Sequence, residues 1–245
     1  MTRHRPDDEI GGLAAVLAHP DDESFGCAGA LALAHDAGRS VRLLVVTRGE
    51  AGSVPEGVDP ADFATTREDE LRCAASKIGF TEVTVLEGYP DGGVADLPFA
   101  QLVDEIATWL GDRQPDAVIT FGAHGITGHP DHVVVGSATR WAVERLAESG
   151  QAPHAVYVIA PVFGGGARRY DLSAEEGAAT HRIDITAVAG RKIAALACHA
   201  SQPDAAQEAV DQQTVLDRDG VLYEGYTRVR PPVPAPHPKF DTRLV

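Results

Sequence analysis

Two periods of hydrophobicity run through this chain. Short apolar or β-branched runs occur at Leu13 to Ala18, Val41 to Thr47, Glu82 to Leu86, Ala117 to Phe121 and Ala155 to Ala160. Such runs, bounded by turn residues, predict parallel strands covered on both faces. The stretches between them carry helical spacing, as in Ala64, Leu71, Ala74, Ala75 and Ile78 of the segment Asp62 to Ile78. Helices are also predicted over Phe25 to Ala37, over Phe99 to Asp112, from His132 to Ser149 and over Val188 to Cys198. Gly38 ends the first of these, and Gly26, Ala28, Gly29 and Ala30 are small enough to let it lie close on a sheet. A short strand is predicted over Arg182 to Ile185 and another near Leu222, inside an otherwise mixed stretch from 203 to 230. Residues 1–12 read as a polar lead-in, and the five prolines between Pro231 and Pro238 as an extended tail over 231–245. Strands alternating with helices predict a single α/β domain over residues 1–245, a Rossmann-like three-layer sandwich with a mainly parallel sheet. In such sheets ligands bind at the carboxyl edge of the strands.

Composition narrows the partners. At 245 residues one domain buries a substantial core, and neither a repeat nor a Ser/Gly linker divides it. The 36 acidic against 21 basic residues leave a net charge of −15, which disfavours nucleic acid as a partner. No signal peptide and no membrane-spanning run is legible, so a cytoplasmic protein without membrane association is expected. Cys27, Cys73 and Cys198 are odd in number and far apart, which predicts buried free thiols in a reducing compartment and no disulfide framework.

The candidate chemistry lies where two of the strands end. Ala18-His19-Pro20-Asp21-Asp22-Glu23 follows the first, and His129-Pro130-Asp131-His132 follows the fourth after the loop Gly122 to Gly128. His19 and Asp22 are three residues apart, as are His129 and His132, and both pairs can face one sheet edge. Two nitrogens and one oxygen suffice as protein ligands for a catalytic zinc ion, with the fourth position open to water. Zinc lowers the pKa of that water to about 7. A neighbouring carboxylate can then act as general base, and a second histidine can hold the oxyanion or protonate the leaving group. Asp21 and Asp22 are adjacent, so one can bind metal while the other faces the water. Taken singly each motif has a plainer explanation, since His-Pro often only turns the chain and paired aspartates cap helices. Together, behind two strands, they favour a metal site.

With these motifs the sequence resembles the zinc-dependent de-N-acetylases of the LmbE-like, or PIG-L-like, family. The resemblance rests further on Thr47 to Ser53, Thr66 to Glu70, Pro90-Asp91-Gly92, and Lys192 to Leu196 leading to His199 and Ser201-Gln202, in the family's order across residues 13–202. It implies one zinc ion per chain, replaceable by other divalent metals, held by His19, Asp22 and His132. It implies Asp21 as general base, His129 as oxyanion stabiliser and acid, Asp131 orienting His129, and Arg67 binding substrate. The implied reaction removes an acetyl group from a small-molecule N-acetylated amino sugar or glycoconjugate, and the implied assembly is a homo-oligomer, a trimer or hexamer. Thr127 stands where the mycothiol branch has a tyrosine, and the chain is shorter than that branch. Both departures disfavour the mycothiol precursor and leave glycosylated antibiotics and bacillithiol-like precursors open.

Other polar residues have weaker claims. Glu23 reads as a helix-start acid, Asp91 as a turn residue, His124 as a loop histidine and His199 as a structural or pocket-wall residue. Glu50 and Ser53 belong to a long loop that runs to Ala61, and Gly164 to Gly166 read as a flap. Two rival functions compete with the deacetylase: an amidase of the same fold acting on another acyl group or a thiol conjugate, and a non-catalytic sugar- or metal-binding protein. Asp21 and His129 argue against the second, since binding alone needs neither. A nucleotide-binding Rossmann protein would carry Gly-x-Gly-x-x-Gly in its first turn, where this chain has His-Pro-Asp-Asp-Glu.

Overall fold

A computed structural model describes residues 12–161 and 172–232. Its strands are β1 Leu13–Leu17, β2 Val41–Val45, β3 Glu82–Val85, β4 Ala117–Thr120, β5 Ala155–Ile159, β6 His181–Asp184 and β7 Tyr223–Arg230. Its helices are α1 Asp22–Gly26, α2 Ala28–Asp36, α3 Phe63–Ile78, α4 Phe99–Arg113, α5 Pro130–Glu148, α6 Ala189–Cys198 and α7 Pro203–Asp219. The seven strands form one sheet in the order β3-β2-β1-β4-β5-β7-β6. The first five are parallel, with Leu13 opposite both Val41 and Ala117. β7 runs antiparallel to β5 and to β6. α2, α3 and α6 pack together and α4 packs on α5, so helices cover both faces. The mixed, mainly parallel α/β sandwich is therefore the one the alternating pattern predicts. No helix among the described residues is long and apolar enough to cross a membrane.

β1 is buried at all five positions because it has a strand on each side and a helix layer on each face. Leu13, Val16 and Leu17, buried this way, each contribute about 1.5–3 kcal/mol against the chain's entropy. Gly26 and Gly29 allow the close approach expected of them. A Cβ at Gly26 would lie 2.5 Å from Ile159, and one at Gly29 2.6 Å from Ile185.

Four features depart from the sequence reading. The helix predicted from Phe25 to Ala37 begins earlier, at Asp22, and is broken at Cys27 into α1 and α2. Side chains from the far end of the chain satisfy the backbone groups the break exposes. Lys192 Nζ donates to the Phe25 carbonyl at 2.8 Å and Tyr226 Oη to that of Gly26 at 3.1 Å. The Gly29 and Ala30 N–H groups donate to Glu224 at 2.9 and 2.8 Å, and Glu224 also takes bonds from Lys192 and Tyr226, each 2.7 Å long. The mixed stretch after 203 contains a full helix, α7, which buries only Ala205 and Ala209. Its apolar face is too thin to register as a period, although Pro203 at its start and left-handed Gly220 at its end are boundary signals. The strand near Leu222 is the eight-residue β7, inserted between β5 and β6.

The expectation of three free thiols is corrected. Cys73 on α3 and Cys198 at the end of α6 form a disulfide, because these helices pack side by side and bring the two Cα atoms to 5.8 Å. Cys27 remains a buried free thiol. The compartment argument drawn from free thiols loses that support. The lead-in through residue 11, the glycines at 164–166 and the tail after 232 lie outside the described residues.

Candidate active site

β1 is flanked by β2 on one side and β4 on the other, the point at which the strand order reverses. Crevices at the carboxyl edge open at such points. The chain leaves β1 through Ala18, whose carbonyl is held by the backbone and hydroxyl of Thr47 at 2.9 and 3.0 Å. Asp21 then adopts φ 115° and ψ −30°, a region side-chain-bearing residues avoid at a cost of about 1–3 kcal/mol. Arg67, on α3, grips this turn. It donates to Asp21 Oδ2 at 2.7 Å, to the Pro20 carbonyl, and to the Gly49 carbonyl at 2.8 Å. Gly49 has φ +70°, and a Cβ there would come within 2.2 Å of the guanidinium. Arg67 was expected at the substrate. Its two terminal nitrogens face inward and it is 4% exposed, because the strained turn offers the Asp21 carboxylate and the Pro20 carbonyl and the loop after β2 offers the Gly49 carbonyl.

The second motif starts α5. His129 caps the helix, its Nδ1 accepting the Asp131 N–H at 3.2 Å, with Pro130 in the first turn. His132 Nδ1 donates to the Gly125 carbonyl at 2.9 Å, and its ring stacks on Phe121 with centroids 4.1 Å apart. That bond puts the proton on Nδ1 and leaves the Nε2 lone pair facing the cleft. Gly125 has φ +61°, and a Cβ there would lie 2.5 Å from the Cβ of His132. Glu176 braces the loop by accepting the Ile126 N–H at 2.8 Å and the His124 N–H at 3.3 Å.

The two motifs meet across the sheet edge. His132 Nε2 lies 3.1 Å from His19 Nδ1 and 3.3 Å from Asp22 Oδ1, and His19 Nδ1 lies 3.7 Å from Asp22 Oδ2. Ligands about 2.0–2.2 Å from a shared tetrahedral cation stand roughly 3.3 Å apart, so this N, N, O set fits a zinc-like ion. The other nitrogen of His19, Nε2, faces Asp91 Oδ1 at 3.1 Å and Asp131 Oδ2 at 3.3 Å. Carboxylates in that position fix the orientation of a ligating imidazole. The His129 ring is 4.6 Å from that of His19, and His19, His129 and His132 together offer nitrogens within 4.8 Å of one another. His19, Asp91, His129 and Asp131 form a second such group. Asp131 is the residue expected to orient His129. Its carboxylate, held by the N–H groups of Gly92 and Val94 at 2.7 and 3.2 Å, points at His19, and only its backbone N–H reaches His129.

The adjacent aspartates are driven apart electrostatically. Burial and the charge of Asp22 push Asp21 up to about 7, with Arg67 opposing. Burial also acts on Asp22, but His132 and His19 outweigh it and hold that carboxyl well below the usual range. His19 is lowered by burial and raised more strongly by Asp131, Asp91 and Asp22, reaching about 10. Burial and the charges of His19 and His132 lower His129. Paired groups with opposed shifts are how a site keeps one carboxylate as base and another ionised.

Three residues gain roles the sequence did not suggest. Asp91 faces His19 and accepts the Ala51 N–H at 3.0 Å, while its own N–H donates to Glu50 at 2.9 Å. Glu23 is fully buried and paired with the equally buried His199 at 2.7 Å. No local signal joins them, since 176 residues separate the two.

A family profile described as PIG-L, GlcNAc-PI de-N-acetylase, matches residues 14–143. The chain belongs to the PIG-L family. It is 30% identical over 232 residues to the 1D-myo-inositol 2-acetamido-2-deoxy-alpha-D-glucopyranoside deacetylase of Nakamurella multipartita, covering 78% of this chain and 79% of that one. Among solved structures it is similar to the N,N'-diacetylchitobiose deacetylase of Pyrococcus horikoshii, with a TM-score of 0.66, 20% identity and 89% and 83% of the two chains covered. It is also similar to GalB, the 4-carboxy-2-hydroxymuconate hydratase of Pseudomonas putida, with a TM-score of 0.70, 19% identity and 96% and 100% covered. At such identities the structural likeness shows the fold alone, and a hydratase on that fold means that fold does not decide the reaction. The family match and the curated relatives put this PIG-L member among the N-deacetylase hydrolases.

Proposed function

We propose that this PIG-L protein removes the acetyl group from an N-acetylglucosamine unit carried on a glycoconjugate, with a divalent cation, zinc by preference, held by His19, Asp22 and His132. When bound, the cation supplies Lewis acidity, polarising an amide carbonyl and lowering the pKa of water. Asp21 takes a proton from the attacking water, and a carboxyl poised at about 7 can both accept and release it. His129 accepts the Asp131 N–H at Nδ1, so its own proton sits on Nε2. That N–H can stabilise the oxyanion, and the proton that Asp21 took from the water can pass to the departing amine. Water adds to the carbonyl carbon, the C–N bond breaks, and acetate and a free amino sugar result. Asp91 and Asp131 hold the His19 ring in place.

The observation that carries this reading is the divergence of the two neighbouring carboxylates. Asp22 lies between two imidazole nitrogens, while the φ of 115° at Asp21 turns its carboxylate onto Arg67. The name of the Nakamurella relative adds inositol-linked N-acetylglucosamine to the substrates under consideration, despite Thr127. The test is acetate release from free, inositol-linked, malate-linked and glycopeptide-linked N-acetylglucosamine by zinc-loaded protein, with Asp21→Asn as the blank. Release from at least one compound, reduced at least 100-fold in the blank, is expected. A zinc-loaded protein that releases acetate from none would reject the reading in favour of another acyl group or a binding role.

A further inference from the structure

We infer that Glu23 and His199 form a positioning pair for Asp21, a role that rests on Asp21 being the base of the proposed reaction. Asp21 occupies a backbone conformation that persists only where its surroundings over-determine it. Arg67 holds its carboxylate, and Glu23 holds its backbone, with Glu23 Oε2 accepting the Asp21 N–H at 3.0 Å. Glu23 Oε1 accepts from the Ser24 hydroxyl at 2.6 Å and from His199 Nε2 at 2.7 Å. A carboxylate that only capped α1 would sit in water. This one is 0% exposed, as is its histidine. Burying a charge is costly unless it is paired, and three bonds leave Glu23 one position to occupy.

His199 is itself anchored to the helix that carries Arg67. It caps α6, and two residues on, Ser201 donates its N–H and hydroxyl to Glu70 of α3, each at 2.7 Å. Asp21 is thus gripped from both sides by groups referenced to α3. Among the described residues, the buried Nδ1 of His199 has no hydrogen-bond partner, so the ring is held through Nε2.

The experiment uses metal-loaded full-length chain and the substrate found in the acetate assay. His199→Ala is expected to lower kcat about 30- to 100-fold, with KM within about twofold and metal content unchanged. His199→Gln, which keeps a donor near the place of Nε2, should recover most of the loss. In an Asp21→Asn background His199→Ala should cost nothing further, because the pair acts through Asp21. Hydrogen exchange at the Asp21 amide should quicken about tenfold or more in His199→Ala. Full additivity with Asp21→Asn, or unchanged exchange at Asp21, overturns the inference. If His199→Ala does not fold, Glu23→Gln keeps the shape without the charge and is judged by the same two readouts. Wild-type turnover by Asp21→Asn would instead remove the base assignment, and the exchange measurement would still decide whether the pair grips that residue.

Discussion

Asp21 and Asp22 are neighbours in sequence whose surroundings differ in every respect that matters to a carboxylate. One is held by a guanidinium at a left-handed φ, and the other lies between imidazoles. The His-Pro-Asp-Asp-Glu and His-Pro-Asp-His motifs were legible because a spacing of three on a helical turn is a local property. The groups that set their behaviour were not, since Asp91, Gly125, Glu176 and His199 reach the site through chain reversals. Two substitutions test this scale. His132→Ala should lower metal content sharply at unchanged secondary structure, and a full equivalent of metal in the purified variant would take His132 out of the ligand set. Gly125→Ala forces a Cβ to within 2.5 Å of the Cβ of His132 at a φ of +61°. A loss of about 1–3 kcal/mol in denaturant unfolding is expected, together with weaker metal affinity. An unchanged midpoint would mean that the loop relaxes freely.

At the scale of elements, the break at Cys27 lets α1 and α2 diverge. A continuous helix from Asp22 to Asp36 would need no Glu224, Lys192 or Tyr226 at its middle. The buried ion pair of Lys192 and Glu224, 2.7 Å long, satisfies three of the four freed backbone groups, and Tyr226 meets the Gly26 carbonyl. Lys192→Met leaves Glu224 buried without its countercharge, and a loss of about 3–5 kcal/mol is expected by urea titration. A loss under about 1 kcal/mol would show that Tyr226 and the N–H groups suffice. The break escaped the hydrophobic pattern because both halves keep their small residues in phase with the sheet. α7 escaped it for the opposite reason, carrying almost no apolar face to detect.

Across the whole molecule, the Cys73–Cys198 bond closes a loop of sequence separation 125, which contains β3 to β6 and α4 to α6. Chain-entropy arguments give such a closure up to about 5 kcal/mol. Reduction should therefore lower the unfolding midpoint, and an unchanged midpoint with both thiols free would deny the bond a stabilising role. Thiol labelling checks the same point by count. Burial, reinforced by the charges of Glu224 and Glu23, pushes the Cys27 thiol well above its ordinary value. No thiol should be alkylated in the native oxidised chain, Cys73 and Cys198 should react after reduction, and Cys27 should react only on unfolding. Labelling of Cys73 without reductant would contradict the disulfide.

The alternation of apolar runs with helical spacing was enough to determine the layered α/β architecture, because each run carries its own period wherever it lies. The placing of both histidine motifs at the carboxyl edge follows from that alternation, because each motif comes after a strand, whereas the strand order does not. Tertiary structure alone decided the rest: which carboxylate faces which imidazole, the inward turn of Arg67, the cysteine pairing, and the passage of β7 between β5 and β6. Each depends on side chains brought together across many residues in a shared, water-poor space, and no periodicity in the chain records which partners will meet there.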